Sequence, residues 1–139
     1  MSEKARRGWR GYAFTRPIAG STIPHRVQNL VLRTYAERHG LLFLLSVFEY
    51  HHDGSYMMLE SLYENLPAIE GLLFYSLNML PEGRAARERL YDAVLSSGAG
   101  LRFALEEMQV SKREDVALVE DIMAVKALAR ERVPAELVP

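Results

Sequence analysis

The sequence predicts an α/β domain in which a four-stranded, mainly parallel sheet carries helices on both faces. Three observations support this prediction. Short apolar segments alternate with amphipathic segments in the order β-α-β-α-β-α-β-α, which is typical of a parallel sheet. The apolar run from Leu41 to Phe48 contains no polar alternation, as expected for a strand that is buried on both faces. Glycine and proline residues separate the segments.

The chain of 139 residues is long enough to form one domain with a substantial core. We expect this domain to extend over residues 11–133, between a basic, flexible N-terminal arm (residues 1–10) and a frayed C-terminus (residues 134–139). The hydrophobic fraction of 49% and the charged fraction of 25% are typical of a soluble globular protein. The formal net charge of −1 argues against a nucleic-acid-binding function.

Cysteine is absent, which excludes disulfides, thiolate metal sites and a cysteine nucleophile. The longest apolar run is far shorter than the ~20 residues that a membrane-spanning helix needs. The N-terminus is basic but lacks the apolar segment of a signal peptide. We therefore expect a cytoplasmic protein that does not contact a membrane.

The first strand is predicted from Tyr12 to Thr15, between a glycine and a proline. A polar loop from Arg16 to Ile23 leads into an amphipathic helix. Pro24 suits the first turn of this helix because its missing N–H needs no partner there, and Gly40 ends the helix. The helical spacing of apolar residues predicts an inward face made of Val27, Leu30, Val31 and Ala36.

The second strand is the uninterrupted apolar run, which ends at Glu49. After a loop, Ser55 is placed to cap a second helix that ends at Pro67. The third strand is predicted from Ile69 to Leu77. The inner stripe of the second helix is predicted to consist of Met58, Leu59, Leu62 and Leu66.

The second half of the chain predicts a third helix from Arg84 to Ser97 and a fourth strand from Leu101 to Leu105. Ser111 and Glu114 have the spacing of a capping box at the start of a long last helix, which Pro134 ends. This helix either covers the sheet or projects and pairs with a second copy, because it is longer than packing on its own sheet requires. A homo-oligomer formed through the C-terminal helix is therefore one of our expectations.

Polar residues collect at one edge of the predicted sheet. The carboxyl ends of parallel strands meet at the same edge, which is where open α/β sheets bind ligands. The strand ends, the adjoining loops and the start of the first helix supply Arg16, Ser21, Thr22, His25, Arg26, Gln28, Asn29, Glu49, Tyr50, His51, His52, Ser55, Ser76, Asn78 and Glu106. The sequence therefore predicts a site for a small anionic, sugar-type ligand at this edge.

Arg16 is the strongest candidate for anion binding, since a guanidinium can clamp a phosphate or a carboxylate through two hydrogen bonds. The alternative for Arg16 is a buried ion pair with Glu49 or Glu106. These two carboxylates either divide into acid and base roles or cap neighbouring helices. His25 is a further candidate for proton transfer, because its pKa range is physiological.

The remaining predicted site residues bind and orient the ligand. Arg26 is expected to help Arg16 to hold the anion, and Tyr50, Ser76 and Asn78 are expected to orient hydroxyl groups. The predicted substrate-binding set is completed by Gln28, Asn29 and Ser55.

No metal and no cofactor are expected. The run His51-His52-Asp53 lacks a third ligand at a suitable spacing, and adjacent residues rarely direct both rings to one ion. The glycines do not form a dinucleotide-binding fingerprint, and the chain contains no Walker sequence.

Residues 11 to about 106 resemble the catalytic domain of the serine recombinases. The segment Phe14-Thr15-Arg16-Pro17-Ile18 is similar to their Tyr-x-Arg-Val-Ser signature, and the segment LLFYSLNML is similar to their strand that ends in Ser-Leu-Asp-Arg-Leu. The resemblance implies a resolvase-like fold. The nucleophile position falls on Ile18, and the Asp-Arg pair falls on Asn78 and Met79, so strand cleavage through a phosphoserine is not expected.

A closer resemblance is to the sporadic carbohydrate cluster proteins, whose genes lie near those for surface polysaccharide or other sugar-derived products. The stretches FTRP, IPHRVQNLVLR, YSLNMLP and LRFALE carry this resemblance along almost the whole chain. It implies a resolvase-like fold that serves carbohydrate-linked biosynthesis.

These observations lead to two hypotheses of function. In the first, the protein is a small cytoplasmic enzyme that acts on a phosphorylated, nucleotide-linked or acidic sugar metabolite. In the alternative, it is a non-catalytic accessory protein that dimerises or docks on a pathway enzyme through its last helix. A nucleic-acid-binding function is disfavoured by the net charge and by the missing nucleophile.

Overall fold

The computed structural model describes residues 6–14, 17–18, 20–49 and 56–132. For residues 130–132 it describes the backbone but not the side chains. Its centre is a five-stranded sheet with the strand order β2-β1-β3-β4-β5. The first four strands run parallel, and β5 runs antiparallel to β4. The strands are β1 (Trp9–Phe14), β2 (Phe43–Glu49), β3 (Gly71–Phe74), β4 (Gly100–Phe103) and β5 (Met108–Val110).

Helices lie on both faces of this sheet. The described residues form α1 (His25–Arg38), α2 (Met57–Ser61), α3 (Arg84–Ser97) and α4 (Arg113–Arg132), with short 3₁₀ helices at Tyr63–Ala68 and Leu77–Met79. α1 packs on the face to which Gly11 points, since a Cβ atom added there would lie 3.1 Å from Leu32. Tyr12 points to the opposite face, where its hydroxyl donates a hydrogen bond to Glu49 beside α2.

The predicted α/β class with a mainly parallel sheet is confirmed, but the sheet has five strands and not four. The chain turns back after β4 through residues 104–107, where Glu107 adopts a φ of 56°. The three residues of β5 then pair with β4. This strand was missed because the turn contains neither glycine nor proline and the strand itself is very short.

β1 begins at Trp9, three residues before the predicted Tyr12, so residues 9 and 10 belong to the sheet and not to an N-terminal arm. The indole of Trp9 lies across Gly71 and Gly100. Cβ atoms added to these glycines would approach the indole to 2.4 and 2.9 Å. The ring therefore requires glycine at both positions.

Arg6 joins the described part of the N-terminal segment to the domain. Its guanidinium donates to the carbonyl oxygens of Leu66 and Ile69, both at 3.2 Å, and to the carbonyl oxygen of Ser97. These carbonyls lie at the ends of the first 3₁₀ helix and of α3, where a cation is favourable. This arginine of the predicted flexible arm thus has a structural role.

β2 is an edge strand of the described sheet, so the prediction that this apolar run is buried on both faces is wrong. Leu45 is 77% exposed. A β-bulge contributes to this exposure, because two residues of β2, Leu45 and Ser46, stand opposite Gly11 of β1. The apolar run showed that the strand is hydrophobic, but it did not show whether the strand lies at the centre or at the edge of the sheet.

α1 buries a different face from the predicted one. Val27 and Leu30 are 44% and 64% exposed, and the buried residues are Gln28, Leu32, Tyr35 and Ala36. Only Ala36 of the predicted inner face is fully buried, and Val31 is half-buried. The stripe was misplaced because a polar residue, Gln28, occupies the centre of the buried face.

α3 has the predicted bounds, and Gly98 ends it with a φ of 82°. α2 is much shorter than predicted, because the chain tightens after Ser61 into a 3₁₀ helix that contains Pro67. The predicted cap of α2, Ser55, lies outside the described residues.

The N-terminus of α4 is capped by Asp115 and not by the predicted Glu114. The carboxylate oxygen Oδ2 of Asp115 accepts hydrogen bonds from the backbone N–H of Ser111 (2.9 Å), the backbone N–H of Lys112 (3.2 Å) and the hydroxyl of Ser111 (3.2 Å). These bonds hold the pKa of Asp115 below its usual value, with the Ser111 N–H as the largest cause. Asp115, one residue after the predicted Glu114, therefore supplies the carboxylate of the capping box.

Gln28 holds the carboxyl end of β1. Its side-chain amide donates to the carbonyl oxygens of Phe14 and Ile23, both at 2.8 Å, and its side-chain oxygen accepts from the N–H of Phe14 at 3.2 Å. The residue is completely buried. One glutamine thus satisfies three backbone groups where the strand ends and the loop to α1 begins.

We predict that Gln28→Leu lowers the free energy of unfolding by about 3 kcal/mol, because the backbone groups of Phe14 and Ile23 lose their three hydrogen bonds to the side-chain amide. Urea unfolding followed by circular dichroism measures this loss. Val27→Ala, one residue away on the exposed side of α1, is the control and should change stability by less than about 0.5 kcal/mol. Equal losses in the two variants would contradict the assigned role.

Candidate functional site

The strand order creates a crevice between the ends of β1 and β3. The chain passes from β1 outward to β2 on one side, and then crosses to β3 and β4 on the other side. The connections that leave β1 and β3 therefore diverge at the carboxyl edge of the sheet. Open α/β sheets bind ligands at this kind of topological switch point.

A cleft of about 890 Å³ lies at this position. Four segments form its walls: the loop after β1, the 3₁₀ helix after β3, the start of α3 and the second half of α4. The lining residues are Pro17, Gly20, Asn78, Leu80, Glu82, Arg84, Arg87, Glu120, Met123, Ala124, Lys126 and Ala127.

A tight turn in the loop after β1 shapes one wall of the cleft. Ile18 and Ser21 exchange two backbone hydrogen bonds, at 2.7 and 3.0 Å, and Gly20 between them has a φ of 85°. Ile18 is buried, so the position that resembles the recombinase nucleophile carries an apolar side chain that packs in the core. Pro17 and Gly20 of this turn line the cleft.

Ser76, Asn78 and Glu106 form a hydrogen-bonded group at the end of β3. The buried hydroxyl of Ser76 donates to Glu106 at 2.7 Å and accepts from the backbone and side-chain nitrogens of Asn78, at 3.1 and 3.2 Å. Glu106 also accepts from the backbone N–H of Leu77 at 3.1 Å. This group orients the side chain of Asn78, whose Oδ1 atom lies 3.5 Å from the Nζ atom of Lys126.

A charged cluster links α3 to α4 beside the cleft. The guanidinium of Arg87 donates two hydrogen bonds to Glu120, at 2.9 and 3.0 Å, and the buried Tyr91 donates a third at 2.6 Å. Burial raises the pKa of Glu120, but the bonds from Arg87 and Tyr91 outweigh this effect and leave that pKa below its usual value. Burial, followed by the bond to Glu120, raises the pKa of Tyr91.

Two cations of the cleft remain accessible to a ligand. Arg84 forms ion pairs with Glu88 and Glu120, both at 3.1 Å, but its side chain is 64% exposed. Lys126 approaches Asn78 and lines the cleft from α4. Arg87 differs from both, because Glu120 and the carbonyl oxygens that precede α3 occupy its donors. The chemistry available in the cleft is therefore anion binding by an ammonium and an exposed guanidinium.

The structure does not bring the two predicted acid–base residues together. Glu49 ends β2 and Glu106 follows β4, with β1 and β3 between them. Neighbouring strands lie about 4.8 Å apart, so the ends of β2 and β4, three spacings apart, are separated by about 14 Å. Glu49 is buried and accepts from the hydroxyl of Tyr12 (2.8 Å) and from the N–H groups of Met58 (3.0 Å) and Leu59 (3.2 Å). It therefore caps α2, which is one of the two roles left open by the sequence.

The predicted site residues of α1 do not line the cleft. The ring of His25 stacks on Phe48 with a centroid distance of 4.1 Å, and its buried Nε2 atom has no hydrogen-bond partner among the described residues. Asn29 accepts from the hydroxyl of Ser46 at 2.6 Å, and Arg26 is exposed. The other predicted residues, Arg16, Tyr50, His51, His52 and Ser55, lie outside the described residues.

The predicted site did not include five charged residues of the cleft, Glu82, Arg84, Arg87, Glu120 and Lys126. The available signal was the length of the last helix, whose 20 residues bring Glu120 and Lys126 into one cleft with Asn78. The predicted candidates lay on the strand ends, on the adjoining loops and at the start of the first helix, and therefore did not include the last helix, which lines the cleft.

Comparison with solved structures supports the fold. The chain is similar to the N-terminal catalytic domain of TP901-1 integrase, with a TM-score of 0.59 and 17% sequence identity over 88% of this chain and 97% of that one. At this identity the similarity establishes a resolvase-like fold, as the sequence predicted. The chain matches no protein-family model and none of the curated proteins compared with it. Membership of the sporadic carbohydrate cluster family therefore stays a prediction.

Within the described residues, none of the helices has both the length and the apolar character that a membrane span requires. The same residues contain no group of three or more histidine or acidic side chains arranged to hold a metal ion.

We predict that Glu49→Gln lowers the free energy of unfolding by about 2 kcal/mol, because one of the two acceptors that cap α2 becomes a donor. Urea unfolding provides the measurement. Glu64→Gln, at an exposed position of the first 3₁₀ helix, is the matched control and should leave stability nearly unchanged. A Glu49 variant with full stability would show that the carboxylate is not required as a cap.

We predict that Glu120→Gln lowers the free energy of unfolding by about 2 kcal/mol at neutral pH. The folded-state pKa of Glu120 is lowered, so its ionised form stabilises the protein above the unfolded-state pKa of about 4.3. This contribution is lost as the pH falls through the folded-state value.

The difference in stability between the wild type and Glu120→Gln should therefore shrink under acid conditions. Urea titrations from neutral pH to about pH 3 measure it, with Glu114→Gln on the exposed side of α4 as the control. A difference that stays constant over this range would contradict a stabilising role for the ionised carboxylate.

Proposed function

We propose that the protein binds a small anionic, sugar-type metabolite in the cleft and acts on it as an enzyme of carbohydrate-linked biosynthesis. The observation that carries this proposal is the position of two accessible cations, Arg84 and Lys126, in a cleft at the switch point between β1 and β3. Anionic ligands of α/β domains are bound at this kind of position.

The mixed chemistry of the cleft favours a ligand that carries both an acid group and hydroxyl groups. An ammonium and a guanidinium bind a phosphate or a carboxylate. Amide and carboxylate oxygens accept hydrogen bonds from hydroxyl groups, and Asn78, Glu82 and Glu120 line the same cleft. A volume of about 890 Å³ is sufficient for a nucleotide-linked sugar or a smaller sugar acid.

The two carboxylates also argue against a polyanionic partner. A groove for nucleic acid presents cations to successive phosphates, whereas Glu82 and Glu120 stand among the cations of this cleft. The proposal thus includes neither a nucleic acid nor a membrane as a partner.

Several predicted residues take defined places in this proposal. Arg16 lies outside the described residues and stays in this proposal as the anion-binding group that the sequence predicts. Ser76 and Glu106 act as positioning residues that orient Asn78. Glu82 is assigned to proton transfer, because it is exposed in the cleft while Glu120 is engaged by Arg87 and Tyr91.

A non-catalytic accessory function is the second candidate, and one observation favours it. Leu118, Val125 and Leu128 of α4 are 55%, 64% and 52% exposed. Residues seven and ten positions apart lie on one side of a helix, so these side chains form an apolar stripe. The stripe supports docking on a pathway enzyme or the homo-oligomer predicted for the C-terminal helix.

We predict that a hexose phosphate, a uronic acid or a nucleotide sugar raises the unfolding temperature of the wild-type protein. A ligand at a hundred times its Kd stabilises the folded state by about 3 kcal/mol. Lys126→Ala should weaken binding at least tenfold, since it removes the ammonium from the cleft, while Lys112→Ala outside the cleft should bind as the wild type does. Thermal shift and isothermal titration calorimetry measure both effects.

Glucose and inorganic phosphate are the ligand controls, because each supplies only half of the expected chemistry. Absence of stabilisation by every sugar acid tested, or equal binding by Lys126→Ala and the wild type, would overturn the proposed site. In that case Val125→Asp tests the accessory function by co-purification with pathway enzymes.

A further inference from the structure

A second surface of the molecule, which shares no lining residue with the cleft, lies at the edge strand β2. A groove of about 520 Å³ runs between β2 and α1, and we name it the α1–β2 groove. Arg33 and Glu37 of α1 line one side, and Leu41, Leu42, Phe43 and Leu45 line the other. We propose that a second copy of this chain covers the α1–β2 groove and forms a symmetric dimer.

The apolar side of the groove is exposed in the single chain. Leu42 is 45% exposed and Leu45 is 77% exposed. Edge strands are normally protected by charged residues or proline, but β2 contains neither between Phe43 and Phe48. Leu45 stands at the bulge and is largely exposed, so an apolar side chain is accessible at the rim of the groove.

The charges of α1 favour a second copy as the occupant. Arg33 and Glu37 are exposed, carry opposite charges and stand four positions apart, which places them on one side of the helix. Neither forms an ion pair within the described residues. A two-fold axis makes each contact twice, so Arg33 of each copy can face the partner's Glu37 across an antiparallel pair of α1 helices.

The same two-fold axis also lets the two β2 edge strands pair with each other. A two-fold axis perpendicular to the sheet places both α1 helices on the same side and brings the two β2 edges together in antiparallel orientation. Leu45 of each copy then meets the groove of the other copy. The surface is therefore self-complementary in charge, which a docking site for an unrelated protein does not require.

Charge reversal with rescue provides the test. We expect the wild type to have the mass of two chains at micromolar concentration by light scattering after size exclusion. Arg33→Glu should raise the dimer Kd at least tenfold, because it places like charges opposite each other twice. The double variant Arg33→Glu with Glu37→Arg restores opposite charges and should restore the dimer. Leu45→Asp should yield a monomer.

Lys112→Glu is the matched charge reversal outside the groove and should leave the dimer intact. Circular dichroism melting of each variant separates a lost interface from a lost fold. A wild type that is monomeric at high concentration would overturn the proposal, as would failure of the double variant to restore a dimer that Arg33→Glu breaks. A dimer that is lost in Val125→Asp but kept in Leu45→Asp would assign self-association to α4 instead.

Discussion

Backbone groups at the carboxyl ends of β1, β2 and β3 must find hydrogen-bond partners after each strand ends, and three side chains supply them. Gln28 bonds to the backbone of Phe14 and Ile23 after β1, Glu49 accepts from the first turn of α2 after β2, and Glu106 accepts from the 3₁₀ turn after β3. A buried backbone group without a partner costs as much as a lost hydrogen bond. The shape of the carboxyl edge depends on these three residues.

This constraint divides the polar residues of the edge into two groups. One group satisfies the backbone, and its members, Gln28, Glu49 and Glu106, were all predicted from the sequence as binding or catalytic groups. The other group lies on helices that begin or pass beside the edge, and Lys126 and Arg84 keep their cationic groups accessible there. The separation of Glu49 from Glu106 by two intervening strands follows from the same sheet order that opens the cleft.

The order of strands also decides which apolar surfaces remain uncovered. β1 and β3 occupy the centre of the sheet, and their residues are almost entirely buried. β2 has the more continuous apolar sequence, yet it lies at the edge with a bulge. Its exposed leucines and the exposed stripe of α4 belong to different elements, the edge strand and the last helix. Association through one does not require the other.

The sequence by itself determined the α/β class, the parallel sheet and the bounds of α3, since these depend on local hydrophobic periodicity and on glycine at Gly98. Only the tertiary structure decided the buried face of α1, the edge position of β2 and the pairing of β5. The physical reason is that burial and hydrogen bonding are settled between segments distant in sequence. Gln28 is polar in the sequence and becomes a core residue because the end of β1, fourteen positions away, needs its amide.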